Sequence, residues 1–189
     1  MKIHVLSLSL PIFLVSCSIR PASEISPDDI PWKPFYRAMF WNVENLFDIY
    51  NDSLTDDDEF TPYGIRAWNY TKYRHKINNV YKVFMAAGNP DPPEIIALSE
   101  VENRRVLYDL TKSSPFGKYG YKILHQDSED KRGIEVAVLY NPDKVKLLQK
   151  AFFKPVFSSS HPTRTRDIVF MKAKINSSDT VYFFFCHWP

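Results

Sequence analysis

Three polar residues close apolar runs in this sequence: Asn42 after "YRAMFW", Glu100 after "IIALS" and His187 after "VYFFFC". An apolar run ending in a single polar side chain predicts a strand that carries this side chain to the end of a sheet. If the strands lie side by side, an amide, a carboxylate and an imidazole meet at one sheet edge. The carboxylate suits a hard cation such as Mg²⁺, which takes oxygen ligands and keeps waters for a phosphate substrate. The amide orients a phosphate or a carboxylate without adding charge. The imidazole donates to a phosphoryl oxygen or relays a proton. Each residue alone has a plainer reading, as a helix cap, a surface charge or a packed ring. Nearby, Glu44, Asn45 and Asp48 of "FWNVENLFDIY" read as capping or supporting groups, and the acidic run Asp56 to Phe60 as a solvated loop. Cys186, beside His187, reads as a small core residue with no evident base to activate it.

The elements that must position these residues follow from periodicity. A strand over 36–43, central in its sheet, is followed by an acidic, turn-rich loop. Tyr73, Ile77, Val80, Tyr81 and Phe84 recur at helical spacing over 72–87, with Gly88 as a stop signal. A buried strand over 94–100 and a helix within 101–112 come next. Five more strands are expected at 121–126, 134–141, 145–153, 167–175 and 180–188, with a hairpin turn at 176–179. Strand, helix, strand, helix and then a run of strands predicts an α/β or α+β domain with a mixed sheet. The last strand is apolar enough to call for cover on both faces.

With 189 residues, 44% of them apolar, the chain can bury one substantial core. A net charge of +2 gives no whole-chain electrostatic case for nucleic acid. Two cysteines, Cys17 and Cys186, provide neither a disulfide framework nor a cysteine metal site. At the N-terminus, Lys2 precedes the apolar stretch "IHVLSLSLPIFLV", too short to span a bilayer and interrupted by Pro11. It ends in "LVSC", which resembles the bacterial lipoprotein signal. That resemblance implies residues 1–17 as signal, Cys17 as the lipidated residue, and a domain held outside the cytoplasm in the bacterial envelope, with the outer membrane as the expected face. Several acyl chains on one cysteine anchor stably. Residues 18–35, with four prolines among 18–34, read as a tether, and 36–189 as the domain.

The blocks "FWNVENLF", "IIALSEVEN", "RGIEVAVLY", "TRD" and "CHWP", in this order, resemble the endonuclease/exonuclease/phosphatase superfamily of deoxyribonuclease I-like hydrolases, and within it Bacteroides-type lipoprotein members. The resemblance implies the N-terminal portion of a four-layered α/β sandwich and hydrolysis of a phosphate ester with Mg²⁺ or Mn²⁺. It implies Glu100 as the metal-binding glutamate, Asn42 near the metal and the scissile phosphate, His187 on the phosphate and leaving group, and Arg166 as a phosphate contact. Arg164 and Arg132 serve a salt bridge or a phosphate equally well. The family's Gly-Asp-x-Asn and Ser-Asp-His blocks, which carry the water-orienting aspartate and the general base, are not in this sequence. The chain is therefore expected to be C-terminally truncated, inactive alone and in need of a second polypeptide to complete the fold. Nucleic acid, lipid phosphate and sugar phosphate stay open as substrates. The rival expectation is a non-enzymatic surface lipoprotein that binds glycan or protein.

Overall fold

The computed structural model describes residues 36–157, 164–175 and 179–188. The signal, Cys17 and the tether lie outside the described residues, as does most of the expected 176–179 turn. No helix among the described residues is long and apolar enough to cross a membrane.

The chain runs β1 (Ala38–Leu46), α1 (Tyr70–Gly88), β2 (Ile95–Val101), α2 (Arg104–Lys112), β3 (Lys122–Leu124), β4 (Glu135–Tyr140), β5 (Val145–Phe153), β6 (Ile168–Ile175) and β7 (Asp179–Phe185). Two sheets form, ordered β1-β2-β4-β3 and β5-β6-β7. β1 and β2 are parallel, as the intervening α1 crossover permits, and the other pairings are antiparallel. This is the mixed α/β arrangement expected. β1, expected to be central, is an edge strand among the described residues. It pairs only with β2 and leaves Phe40 49% exposed.

The alternation of β2 and β4 decides the layering. Ile96, Leu98, Ala137 and Leu139 face Tyr73, Ile77, Val80 and Phe84 of α1 and Val106, Leu107 and Leu110 of α2. The opposite faces, Ile95, Ala97, Val136 and Val138, pack against Val169, Met171, Ala173 and Phe185 of the second sheet. Helices, four-stranded sheet and three-stranded sheet thus form three layers, and β2 is buried on both sides, as its unbroken aliphatic run requires. Phe153, Tyr182 and Phe184 lie on the far face of the second sheet and are 48%, 57% and 63% exposed. The cover expected on both faces of β7 is therefore present on one face only among the described residues.

Two polar devices fix the joints. Asn69 caps α1 by accepting from the Lys72 N–H, and Asn103 caps α2 by accepting from the Arg105 and Val106 N–H groups. Glu94, ahead of β2, accepts from the Arg37 backbone and guanidinium and from Lys144 Nζ. Burial alone raises the Glu94 carboxyl, but these donors outweigh it and hold it at about 2. The clamp ties the entries to β1 and β2 to the exit from β4, and so sets their register.

Candidate active site

The parallel register places Asn42 opposite Ser99. Beyond that pair, both strands leave regular geometry. Residues 43–45 of β1 are spanned by Glu100 alone on β2, and the β2–β4 ladder shifts at the same point. Glu100 (φ 63°), Glu44 (φ 55°) and Asn45 (φ 64°) occupy the left-handed region, which non-glycine residues adopt at a cost of about 1–3 kcal/mol each. A bulge re-aims a side chain, and here it turns the Glu100 carboxylate toward β1. Asn42 Nδ2 donates to Glu100 Oε1 at 2.9 Å, and the Asn45 N–H donates to Oε2 at 3.0 Å. Asn42 Oδ1 in turn accepts from the Glu44 N–H at 2.8 Å. Glu44 and Asn45 thus serve the site through their backbone amides.

His187 arrives from the other sheet, two residues past the end of β7. The expectation of three adjacent strands is corrected here: β1 and β2 are neighbours, whereas β7 reaches the site across the sandwich. His187 Nε2 lies 3.8 Å from Glu100 Oε1. Burial lowers the imidazole below its ordinary pKa, the positive charge of Arg166 lowers it further, and Glu100 opposes both. A neutral imidazole is thereby favoured in the free site. Arg166, only 4% exposed, sets its Nε 3.3 Å from Asp130 Oδ2, and Asp130 Oδ1 lies 3.9 Å from Arg132 Nε. Asn42, Glu100, His187 and Arg166, separated by up to 145 positions in the sequence, are gathered at one end of the sandwich. Arg164 is exposed.

A second acidic group lies behind the first. Asp48, 3% exposed, donates its N–H to Glu102 Oε2 and accepts from the Tyr50 N–H and from Asn103 Nδ2. It ties the end of β1 to the α2 cap, so its supporting role is structural. Asp57 is also buried, so the acidic run is only partly a solvated loop: Asp57 Oδ2 accepts from the Asp52 N–H, and Phe60 stacks on Phe47 at 4.1 Å. Burial, with Asp48, Asp57 and Asp52 nearby, pushes the Glu102 carboxyl up to about 8 against the pull of the Asp48 N–H.

Nothing in the sequence singles out Lys76 or Asp130. Lys76 belongs to the α1 stretch, where helical spacing points only to packing, yet its Nζ donates to the Glu44 carbonyl at 3.2 Å and its ammonium interacts with Glu44 and Glu100. Burial lowers its pKa. Asp130 falls in a loop just before the "RGIEVAVLY" block, where an aspartate reads as turn chemistry.

The donors around Glu100 are one carboxylate, the Asn42 amide and the Asn45 N–H, with His187 beside them. No group of three or more His, Cys, Asp or Glu residues among the described residues is arranged to hold a metal ion. One carboxylate flanked by amides is nevertheless compatible with Mg²⁺, which binds through one or two carboxylates, waters and substrate phosphate rather than an all-protein cage.

A mixed α/β sandwich with an amide–carboxylate–imidazole cluster at one end places the chain among layered α/β proteins with a polar site at the strand ends. A profile of the Endonuclease/Exonuclease/phosphatase family matches residues 37–189, and the chain belongs to that family. No curated protein matches. Among solved structures, the chain is similar to zebrafish (D. rerio) TDP2 humanized by 14 mutations, with 12% identity over 77% of this chain and 44% of that one, TM-score 0.45. It is also similar to a conserved protein of unknown function from Enterococcus faecalis V583, with 17% identity over 78% and 49%, TM-score 0.46. The human Nocturnin catalytic domain with bound sulfate shares 14% identity over 76% and 46%, TM-score 0.43. The chain spans a little under half the length of these structures.

Glu102 supplies a pH prediction. Unfolded, its carboxyl ionises near pH 4.5; folded, it keeps its proton to about 8. Between those values the folded state holds the extra proton, so stability falls as pH rises. Glu135, pushed up to about 7, chiefly by burial, acts in the same direction. In urea unfolding at pH 5 and pH 8, Glu102→Gln is expected to flatten this fall and to exceed wild-type stability at pH 8 by at least about 1 kcal/mol. An unchanged pH slope would contradict the buried, protonated carboxyl.

Proposed function

We propose that the chain carries the cation- and phosphate-binding part of a divalent-metal-dependent phosphoester hydrolase. The observation that carries this reading is the Asn42–Glu100 hydrogen bond with His187 3.8 Å from the same carboxylate oxygen. Glu100 would hold Mg²⁺ or Mn²⁺, which when bound supplies positive charge beside a phosphate. Asn42 and the Asn45 N–H keep the Glu100 carboxylate in one orientation. Arg166, buried beside Asp130, is suited to a phosphate oxygen through its planar fork. His187 steadies charge that develops on the phosphate or leaving group by donating a hydrogen bond from its ring.

Family membership supports this reading. The substrate we favour is a phosphate ester of nucleic acid, lipid or sugar, with no preference imposed by a net charge of +2. We further propose that the cation- and phosphate-binding groups of these 189 residues do not turn over a substrate by themselves, without the water-orienting aspartate and Asp–His general base that the family resemblance calls for.

Incubated with bis-p-nitrophenyl phosphate and Mg²⁺, the chain alone is expected to show no turnover. Mg²⁺-dependent turnover lost in both Glu100→Gln and His187→Ala would keep the site and remove the claim of inactivity. Turnover surviving both substitutions would remove the site itself.

We also propose lipid anchoring at Cys17 to the extracytoplasmic face of a bacterial envelope, supported by the "LVSC" sequence. Metabolic labelling with radioactive palmitate in a bacterial host is expected to mark the wild type and not Cys17→Ser. Equal labelling of both would refute it.

A further inference from the structure

We propose that Asp130 is a positioning residue of this site, holding Arg166 so that its terminal guanidinium nitrogens face a phosphate beside Glu100 and His187. The inference rests on the phosphoester reading above and adds to it the group that fixes the phosphate-binding arginine.

Asp130 is itself anchored. Glu135, at the start of β4 and paired in register with Val101, accepts from the Ser128 N–H at 2.9 Å and from Ser128 Oγ at 2.8 Å. Ser128 Oγ then accepts from the Asp130 N–H at 3.2 Å. The Asp130 carboxylate accepts from the Arg132 N–H at 3.1 Å and lies 3.3 Å from Arg166 Nε, an ion pair in which the buried Nε–H makes no hydrogen bond. A continuous line of contacts thus runs from the strand adjoining the Glu100 bulge, through Ser128 and Asp130, to Arg166 on the segment entering β6.

The placement is difficult to explain as stabilisation alone. The side chains of Arg166 and Asp130 are 4% and 8% exposed, and removing two charges from water cancels much of the energy that their pairing returns. Geometry gives the pair another use. Asp130 pairs with the guanidinium through Nε, and among the described residues no hydrogen bond engages the two terminal nitrogens, whose paired geometry matches phosphate oxygens. Arg166, Arg132, Asp130 and Glu100 all act on the charge of His187, which sets the pair within the field of the site.

Charge and positioning predict opposite outcomes when Asp130 is neutralised. Asp130→Asn removes a negative charge, so electrostatics alone would tighten anion binding. A positioning role predicts that it loosens. Inorganic phosphate titrated into the full chain, followed by calorimetry, separates the two. Wild type is expected to bind phosphate, Arg166→Ala to lose most of that binding, and Asp130→Asn to weaken it roughly fivefold or more. Binding by Asp130→Asn equal to or tighter than wild type, with Arg166→Ala still defective, would overturn this inference alone. No phosphate binding by wild type, or binding untouched by Arg166→Ala, would remove the reading beneath it and this inference with it. Should Asp130→Asn fail to fold, Ser128→Ala carries the same test, because it removes the hydroxyl that accepts from the Asp130 N–H. Phosphate binding about twofold weaker or more supports the role, and unchanged binding overturns it.

Discussion

Everything at the site depends on one backbone irregularity, the bulge that lifts Glu100 out of the β2 ladder. In regular geometry residue 100 would point along the alternation set by Ile96 and Leu98, into the helix-side core. Instead its φ of 63° and the matching turn at Glu44 and Asn45 bring the carboxylate against Asn42. Three residues in the left-handed region within one small volume cost several kcal/mol together. The flanking structure bears that cost: β2 is buried on both faces, and the Glu94 clamp holds the entries to both strands at the opposite end.

The site is also a balance of buried charge. Glu100 has amide donors on both oxygens, the Asp48 carboxylate has the Tyr50 N–H, Asn103 Nδ2 and Arg105 Nη1, and Arg166 has Asp130. Glu102 and Glu135 are different. With burial outweighing their hydrogen bonds, both carboxyls are pushed up, Glu102 to about 8 and Glu135 to about 7. Behind the carboxylate proposed to hold a cation, carboxyls that ionise late keep the local negative charge from accumulating. The acidic composition of this end of the sandwich therefore overstates its charge.

Much of the fold was legible because periodicity follows burial. The 145–153 strand matches β5, and the 72–87 helix falls inside α1. The edge position of β1 was not legible, because "YRAMFWNV" has the apolar density of a buried strand while its partner on one side is a matter of topology. Within the site, Asn42, Glu100 and His187 stood out as polar ends of apolar runs. Their convergence was legible only in part: the sequence does not say that β7 belongs to a second sheet. Lys76 and Asp130 were invisible for a related reason. Each lies in a stretch whose local pattern is fully explained by a helix or a turn, and only tertiary packing brings Lys76 toward Glu100 and Asp130 toward Arg166.

The central claim is that Glu100, as oriented by Asn42, holds a divalent cation. Electron paramagnetic resonance of Mn²⁺ titrated into the chain tests it without any requirement for turnover. The account predicts saturable binding at one site, weakened about tenfold or more by Glu100→Gln and left intact by Glu102→Gln. Mn²⁺ binding that is the same in wild type and Glu100→Gln would contradict it.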